Sequence, residues 1–175
     1  MKSLYKRILG EQYEILPFAV RQLHDYETEA TYKGRASVKR GKNIFSNLLA
    51  NLLSLPKTNE NAEVIVHFES KNEKELWNRS FNGEKFNSLQ WQVGDLLYER
   101  LNFTTLIFKI VATNQMLDLQ LQQVYVFGIH QMRFICPKVI ARETETDNKF
   151  HFFIQTTLPL LGLLVEYEGS LERVS

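Results

Sequence analysis

The stretch "ELWNRSFNG", Glu75 to Gly83, sets Trp77, Arg79 and Phe81 at alternate positions. In an extended strand these three side chains share one face. A guanidinium cannot shed its charge by deprotonating, and an unpaired one inside a core is very unfavourable. Arg79 therefore requires a carboxylate, backbone carbonyls, water or an anionic ligand. In "DLLYER" the alternation groups Glu99 with Leu97 and Leu101. If the two leucines face a core, Glu99 accompanies them and becomes the carboxylate partner of Arg79. The pair reads either as a structural ion pair, with Trp77 in cation–π contact, or as the polar anchor of a ligand site. A third reading has Arg79 exposed, with the sheet face reversed. Tyr32 and Tyr167 also lie on apolar faces, and their hydroxyls need partners when buried, in the backbone or in this cluster. Tyr32, Trp77, Arg79, Phe81, Glu99 and Tyr167 form the candidate ligand-binding set: few polar groups in a largely apolar wall.

Other chemistry is thinner. His24, His67, His130 and His151 fall on different elements, without metal-ligand spacing. His24-Asp25 reads as a hydrogen-bonded pair at a helix end. His151 alternates with Phe150 and Phe152 and so faces away from them. Nucleophile-elbow, phosphate-loop and dinucleotide-binding motifs are absent, and Cys136 beside Pro137 has no recognisable partner. Neither a metal nor a cofactor is expected. "VKRGKN" gathers Lys39, Arg40 and Lys42 at a helix start; this reads first as a solvated basic turn, and otherwise as a place where an anion or a lipid headgroup is met.

The elements that must position these residues follow from periodicity. Leu4, Ile8 and Leu9 predict a short helix ending near Gly10. Pro17 opens a second one that carries Val20 and Leu23 to His24. "ATYKGRASVKR" alternates cleanly as a half-buried strand. The strongest helix is "KNIFSNLLANLLSLP", capped by Asn43 and stopped by Pro56. Its stripe is Phe45, Leu48, Leu49, Leu52 and Leu53, with Ser46, Asn47 and Asn51 opposite. After Pro56 only strands are predicted, at 62–70, 74–82, 85–93, 95–101, 103–113, 115–127, 138–146, 149–157 and 163–172. "FNGEKF", "ATNQM" and "TDNKF" supply turns, and Gln122-Gln123 breaks the alternation as a bulge would. Segment 128–137 reads as irregular. The fold expected is α+β and predominantly antiparallel β, an up-and-down sheet that curls into a barrel or half-barrel of roughly ten strands, because flat sheets of that size leave open edges. The Leu-rich helix would then plug one end or cross the concave face.

The totals fit a single domain over residues 1–175. Apolar residues make up 44% and aromatics 12%, so disorder is not expected. With 21 basic and 20 acidic residues the net charge is +1, which provides no field for nucleic acid. One cysteine permits no internal disulfide and fits a reducing, cytoplasmic setting. The N-terminus is too polar for a signal peptide, and no apolar run approaches the roughly 20 residues of a membrane helix.

Several stretches occur in an order that resembles a known family. They are "LPFAVRQLHD", "GRASVKRGKNIFSNLLANLLSLP", "WNRSF", "LLYER", "KVIARE" and "FHFFIQTTLPLLGLLVEYEGSL". The chain resembles, over nearly its whole length, the bacterial domain of unknown function 4166, as found at the C-terminus of YndJ-like proteins. The resemblance implies no established activity. It implies company with membrane segments and with saccharopine-dehydrogenase-like domains. Positions matching its motifs include His24, Gly34, Trp77, Arg79, Phe81 and Glu99, then Pro137, His151, Pro159, Gly162, Tyr167 and Gly169. Where relatives read "YRGWL" this chain reads "YEGSL", so Glu168 and Ser170 replace a cation and an aromatic.

The leading expectation is a binding module that holds a small amphipathic or apolar anionic, lipid-like ligand in a curved-sheet cavity. The alternative is a non-catalytic interaction domain with a filled interior, meeting a membrane surface or a protein. An enzyme using Glu99 or His151 as base comes last, because no constellation supports either.

Overall fold

The structure, a computed structural model, describes residues 3–174. Two short helices, α1 (Leu4–Leu9) and α2 (Phe18–His24), flank a 3-10 turn at Gly10–Ile15. Strand β1 (Glu29–Arg40) leads into helix α3 (Ile44–Leu52). Six strands then run as a meander: β2 (Asn59–Lys71), β3 (Lys74–Phe81), β4 (Glu84–Val93), β5 (Leu96–Leu101), β6 (Thr104–Ala112) and β7 (Met116–Val126). A two-residue strand, β8 (Ile129–His130), precedes β9 (Lys138–Thr146), β10 (Lys149–Leu158) and β11 (Gly162–Arg173).

Every long strand pairs antiparallel with its chain neighbour, and β11 returns to β1, so ten strands close into an up-and-down barrel. Closure removes the two free edges of an open sheet, except where the β7–β9 pairing runs out beyond Met116–Asp118. Asn82 (φ 48°) and Gly83 (φ 83°) make the β3–β4 turn, and Asp147 and Asn148 make the β9–β10 turn, all with the positive φ that hairpin turns of this hand need. The β6–β7 register slips between Ile107 and Phe108, which pair with Gln123 and Leu121, so Gln122 is the bulged residue. Where β1 crosses β11, a Cβ on Gly34 would lie 1.8 Å from the Ser170 carbonyl oxygen, and one on Gly169 would lie 2.2 Å from that of Arg35. Only glycine fits that crossing.

The two ends of the barrel differ. The N-terminal helices plug one end, burying Leu4, Tyr5, Tyr13, Val20, Leu23 and His24. The Leu4 backbone N–H donates to Glu75 and that of Ala19 to Glu145, which ties the plug to the wall. Helix α3 lies over the other end, its N-terminus capped as expected by Asn43, whose side chain accepts from the Phe45 N–H. Arg40 donates to Asn51 and to the carbonyls of Leu55 and Pro56, clamping the chain that leaves α3.

The orientation of α3 departs from the sequence expectation. Ser46 and Ala50 are its buried residues, while Phe45, Leu48 and Leu52 are 68%, 65% and 61% exposed. Only Leu49 and Leu53 of the apolar stripe turn toward the barrel interior. The stripe is wider than the face that contacts the sheet, so most of it is left in solvent. The expected basic cluster also disperses: Lys39 pairs with Glu166, Arg40 is committed to the clamp, and Lys42 remains at the helix start.

Candidate ligand-binding site

The barrel encloses a cavity of about 350 Å³, open at the α3 end and within the range of small-molecule sites. Its wall is mostly apolar, drawn from inward positions of nearly every strand, with Leu49 and Leu53 of α3 and Gln131, Ile135 and Pro137 of the irregular segment at the rim. Strands β7 and β9 pair only through Met116–Asp118, near the plugged end. Toward the rim β7 pairs instead with β8, so the wall parts there and segment 127–137 fills the gap.

One polar cluster interrupts the apolar wall. Strands β3, β4 and β5 are adjacent, and their inward positions bring Arg79, Ser88, Gln90 and Glu99 together. Arg79 Nη1 donates to Ser88 Oγ at 2.7 Å, and Arg79 Nη2 lies 3.2 Å from Glu99 Oε1. The same carboxylate oxygen accepts from Ser88 Oγ at 2.6 Å and from Gln90 Nε2 at 3.2 Å. Glu99 Oε2 has no hydrogen-bond partner among the described residues, nor is it sealed from the cavity. The Arg79 guanidinium also sits 4.7 Å from the Trp77 ring centroid and 5.2 Å from that of Phe86, so cation–π contacts hold it over the cavity wall.

Deeper in, the plug continues the polar chain. Tyr5 donates its hydroxyl to Gln90 Oε1 at 3.2 Å and stacks on His24 at 3.7 Å. His24 Nε2 and Glu143 Oε2 lie 2.6 Å apart, with the imidazole fully buried. Burial, reinforced by Glu143, Glu99 and Glu75, raises the Tyr5 phenol well above its ordinary pKa. On the opposite wall Tyr167 packs edge-on to Phe81 and against Phe152. Burial pushes its pKa up to about 12, Arg79 opposing that rise and Glu99 adding to it.

Five of the six candidate residues line this cavity: Trp77, Arg79, Phe81, Glu99 and Tyr167. Tyr32 is placed elsewhere. It is buried beneath the plug, its hydroxyl donates to the Gln22 carbonyl at 2.8 Å, and it is not part of the cavity wall. His24 meets Glu143 rather than Asp25. His151 faces an outer groove with Glu168 and Ser170, on the far side of the wall from Glu99. Ser88, Gln90, Tyr5 and Glu143 were not singled out from sequence. For Ser88 and Gln90 the signal was present, because both share the β4 parity of Phe86. Among the described residues no three histidine, cysteine or carboxylate side chains converge as a metal site, and no helix is long and apolar enough to cross a membrane.

Fold and interior together define a closed antiparallel barrel with a small apolar cavity and one polar anchor. Residues 16–171 match the profile of the domain of unknown function DUF4166, and the chain belongs to that family. A crystal structure of Rv2717c from M. tuberculosis is similar over 91% of this chain and 99% of its own, with a TM-score of 0.48 and 10% sequence identity. No curated protein matches the chain.

Proposed function

We propose that this barrel is a binding module for one small amphipathic, lipid-like molecule. The apolar body fills the cavity against Trp77, Phe81 and the aliphatic wall, and the polar head lies at Arg79, Glu99 and Tyr167. The observation that carries the reading is the cavity of about 350 Å³ whose mostly apolar lining carries an ordered polar cluster around Arg79 and Glu99. The alternative, an interaction domain with a filled interior, lacks this support.

The cluster also bears on the head group. Glu99 neutralises Arg79, and two of the guanidinium's donors are already used. The remaining Arg79 donors, the free Glu99 oxygen and the Tyr167 hydroxyl suit a head that both accepts and donates, such as a hydroxyl or a carboxyl group.

Displacement of an anilinonaphthalene dye by medium-chain fatty acids and alcohols tests the proposal. Saturable one-to-one binding is expected, with stabilisation of about 2.7 kcal/mol at a ligand concentration 100-fold above Kd. Tyr167→Phe is expected to weaken ligands with polar heads and to spare plain hydrocarbons. Absence of saturable binding and of any thermal shift across the panel would overturn the assignment.

A further inference from the structure

We propose that the open end of the barrel docks on an anionic lipid surface, so that the ligand moves between bilayer and cavity. The docking itself stands on separate observations; what is transferred rests on the ligand-binding reading above.

Among the described residues, fourteen large apolar side chains are exposed, and ten of them lie at this end. They come from three segments. Helix α3 contributes Phe45, Leu48 and Leu52, segment 127–137 contributes Phe127 and Phe134, and Leu160 in the β10–β11 turn is fully exposed. These segments are neighbours. Ser46 of α3 donates to the Leu161 carbonyl, Asn102 in the β5–β6 turn reaches the Leu52 carbonyl, and Phe103 beside it stacks on Phe127 at 4.6 Å. The same segments line the rim, through Leu49 and Leu53 of α3, Phe103, Gln131 and Ile135. The apolar surface therefore rings the opening of the cavity. Exposed apolar surface gathered in this way marks an interaction site.

Charge selects the occupant. Segments 41–58, 127–137 and 159–161 contain no aspartate or glutamate. Lys42, Arg133 and Lys138 are exposed around the ring, while Lys57 is matched by Glu84. The plugged end, by contrast, is mixed in charge: Glu11, Glu14, Glu27, Asp95 and Asp147 stand among Lys6, Arg21, Lys74, Lys149 and Arg173, and Glu14 is paired with Lys6 and Arg21. A nine-residue helix with aromatic and leucine side chains outward, bordered by cations, fits the interfacial zone of an anionic bilayer. A lipid surface also satisfies the apolar ring while leaving the opening in contact with the phase where an apolar ligand is dissolved.

The test is co-sedimentation of the full chain with vesicles of phosphatidylcholine alone and of phosphatidylcholine with phosphatidylglycerol. Binding is expected to the mixed vesicles, to fall with added salt, and to be much weaker on phosphatidylcholine. Leu48→Gln/Leu52→Gln should lower partition roughly tenfold or more, because both side chains lie outside the core. Lys42→Glu/Arg133→Glu should lower it by a similar factor, roughly tenfold. Both double variants should keep the dye affinity of the cavity. Vesicle binding without any cavity ligand would leave docking intact and remove the transfer reading. Absence of binding to the mixed vesicles, partition insensitive to both double variants, or a dimer that Leu48→Gln/Leu52→Gln dissociates would overturn docking.

Discussion

Arg79 and Glu99 meet across strand β4 with Ser88 between them. The serine hydroxyl accepts from the guanidinium at 2.7 Å and donates to the carboxylate at 2.6 Å. The direct approach of the two charges is 3.2 Å, with side-chain exposures of 12% and 11%. Both groups are desolvated on the apolar wall, so each depends on the other.

Removing one member is therefore expected to cost more than removing both. Arg79→Met leaves a carboxylate without its cation and should destabilise by about 3–5 kcal/mol. Arg79→Met/Glu99→Leu should recover most of that loss. Denaturant unfolding of the single and double variants checks the pair.

The buried phenols make the barrel sensitive to alkali. The folded state holds the Tyr167 proton more tightly than the unfolded chain does, from an ordinary 10.0 to about 12. This contribution is complete below pH 10 and falls as pH rises toward 12, at about 1.4 kcal/mol per pH unit. Tyr5 acts in the same direction. Denaturation midpoints across that range should decline, and less steeply in Tyr167→Phe.

Ala141 lies on the cavity wall of β9. Ala141→Leu places a larger side chain in the space that the ligand would occupy. Ligand affinity should drop at least tenfold while stability stays within about 1 kcal/mol, since the added carbons enter a void rather than a packed core. Calorimetric titration alongside thermal unfolding separates the two effects.

The β1–β11 crossing tolerates no Cβ. Gly169→Ala sets a methyl carbon 2.2 Å from the Arg35 carbonyl oxygen. The strands must separate to relieve this, at a cost of about 3 kcal/mol or more. A melting temperature lowered more than by Gly83→Asn, where the added Cβ meets open space and only the positive φ strains the backbone, would show that the cost comes from close approach.

Strands and their faces were legible because a period of two decides which side a residue takes. Arg79 and Glu99 were found that way. Depth along the barrel was not legible: Tyr32 points inward like Arg79, yet it lies under the plug rather than at the cavity. The His24–Glu143 contact joins residues 119 positions apart, and no local pattern announces it. Closure depends on β11 returning to β1, a pairing with the same lack of local signal. The α3 stripe was visible, but its spacing does not say whether protein or another phase covers it.

The short pairing of β7 with β9 concentrates the barrel's weakness along one line. Three residue pairs stitch those strands, against nine between β9 and β10. Local opening starts where few backbone bonds must break. The molecule should therefore breathe like a purse with its clasp at Met116–Asp118, and amide protons along that slit should exchange before those of the opposite wall.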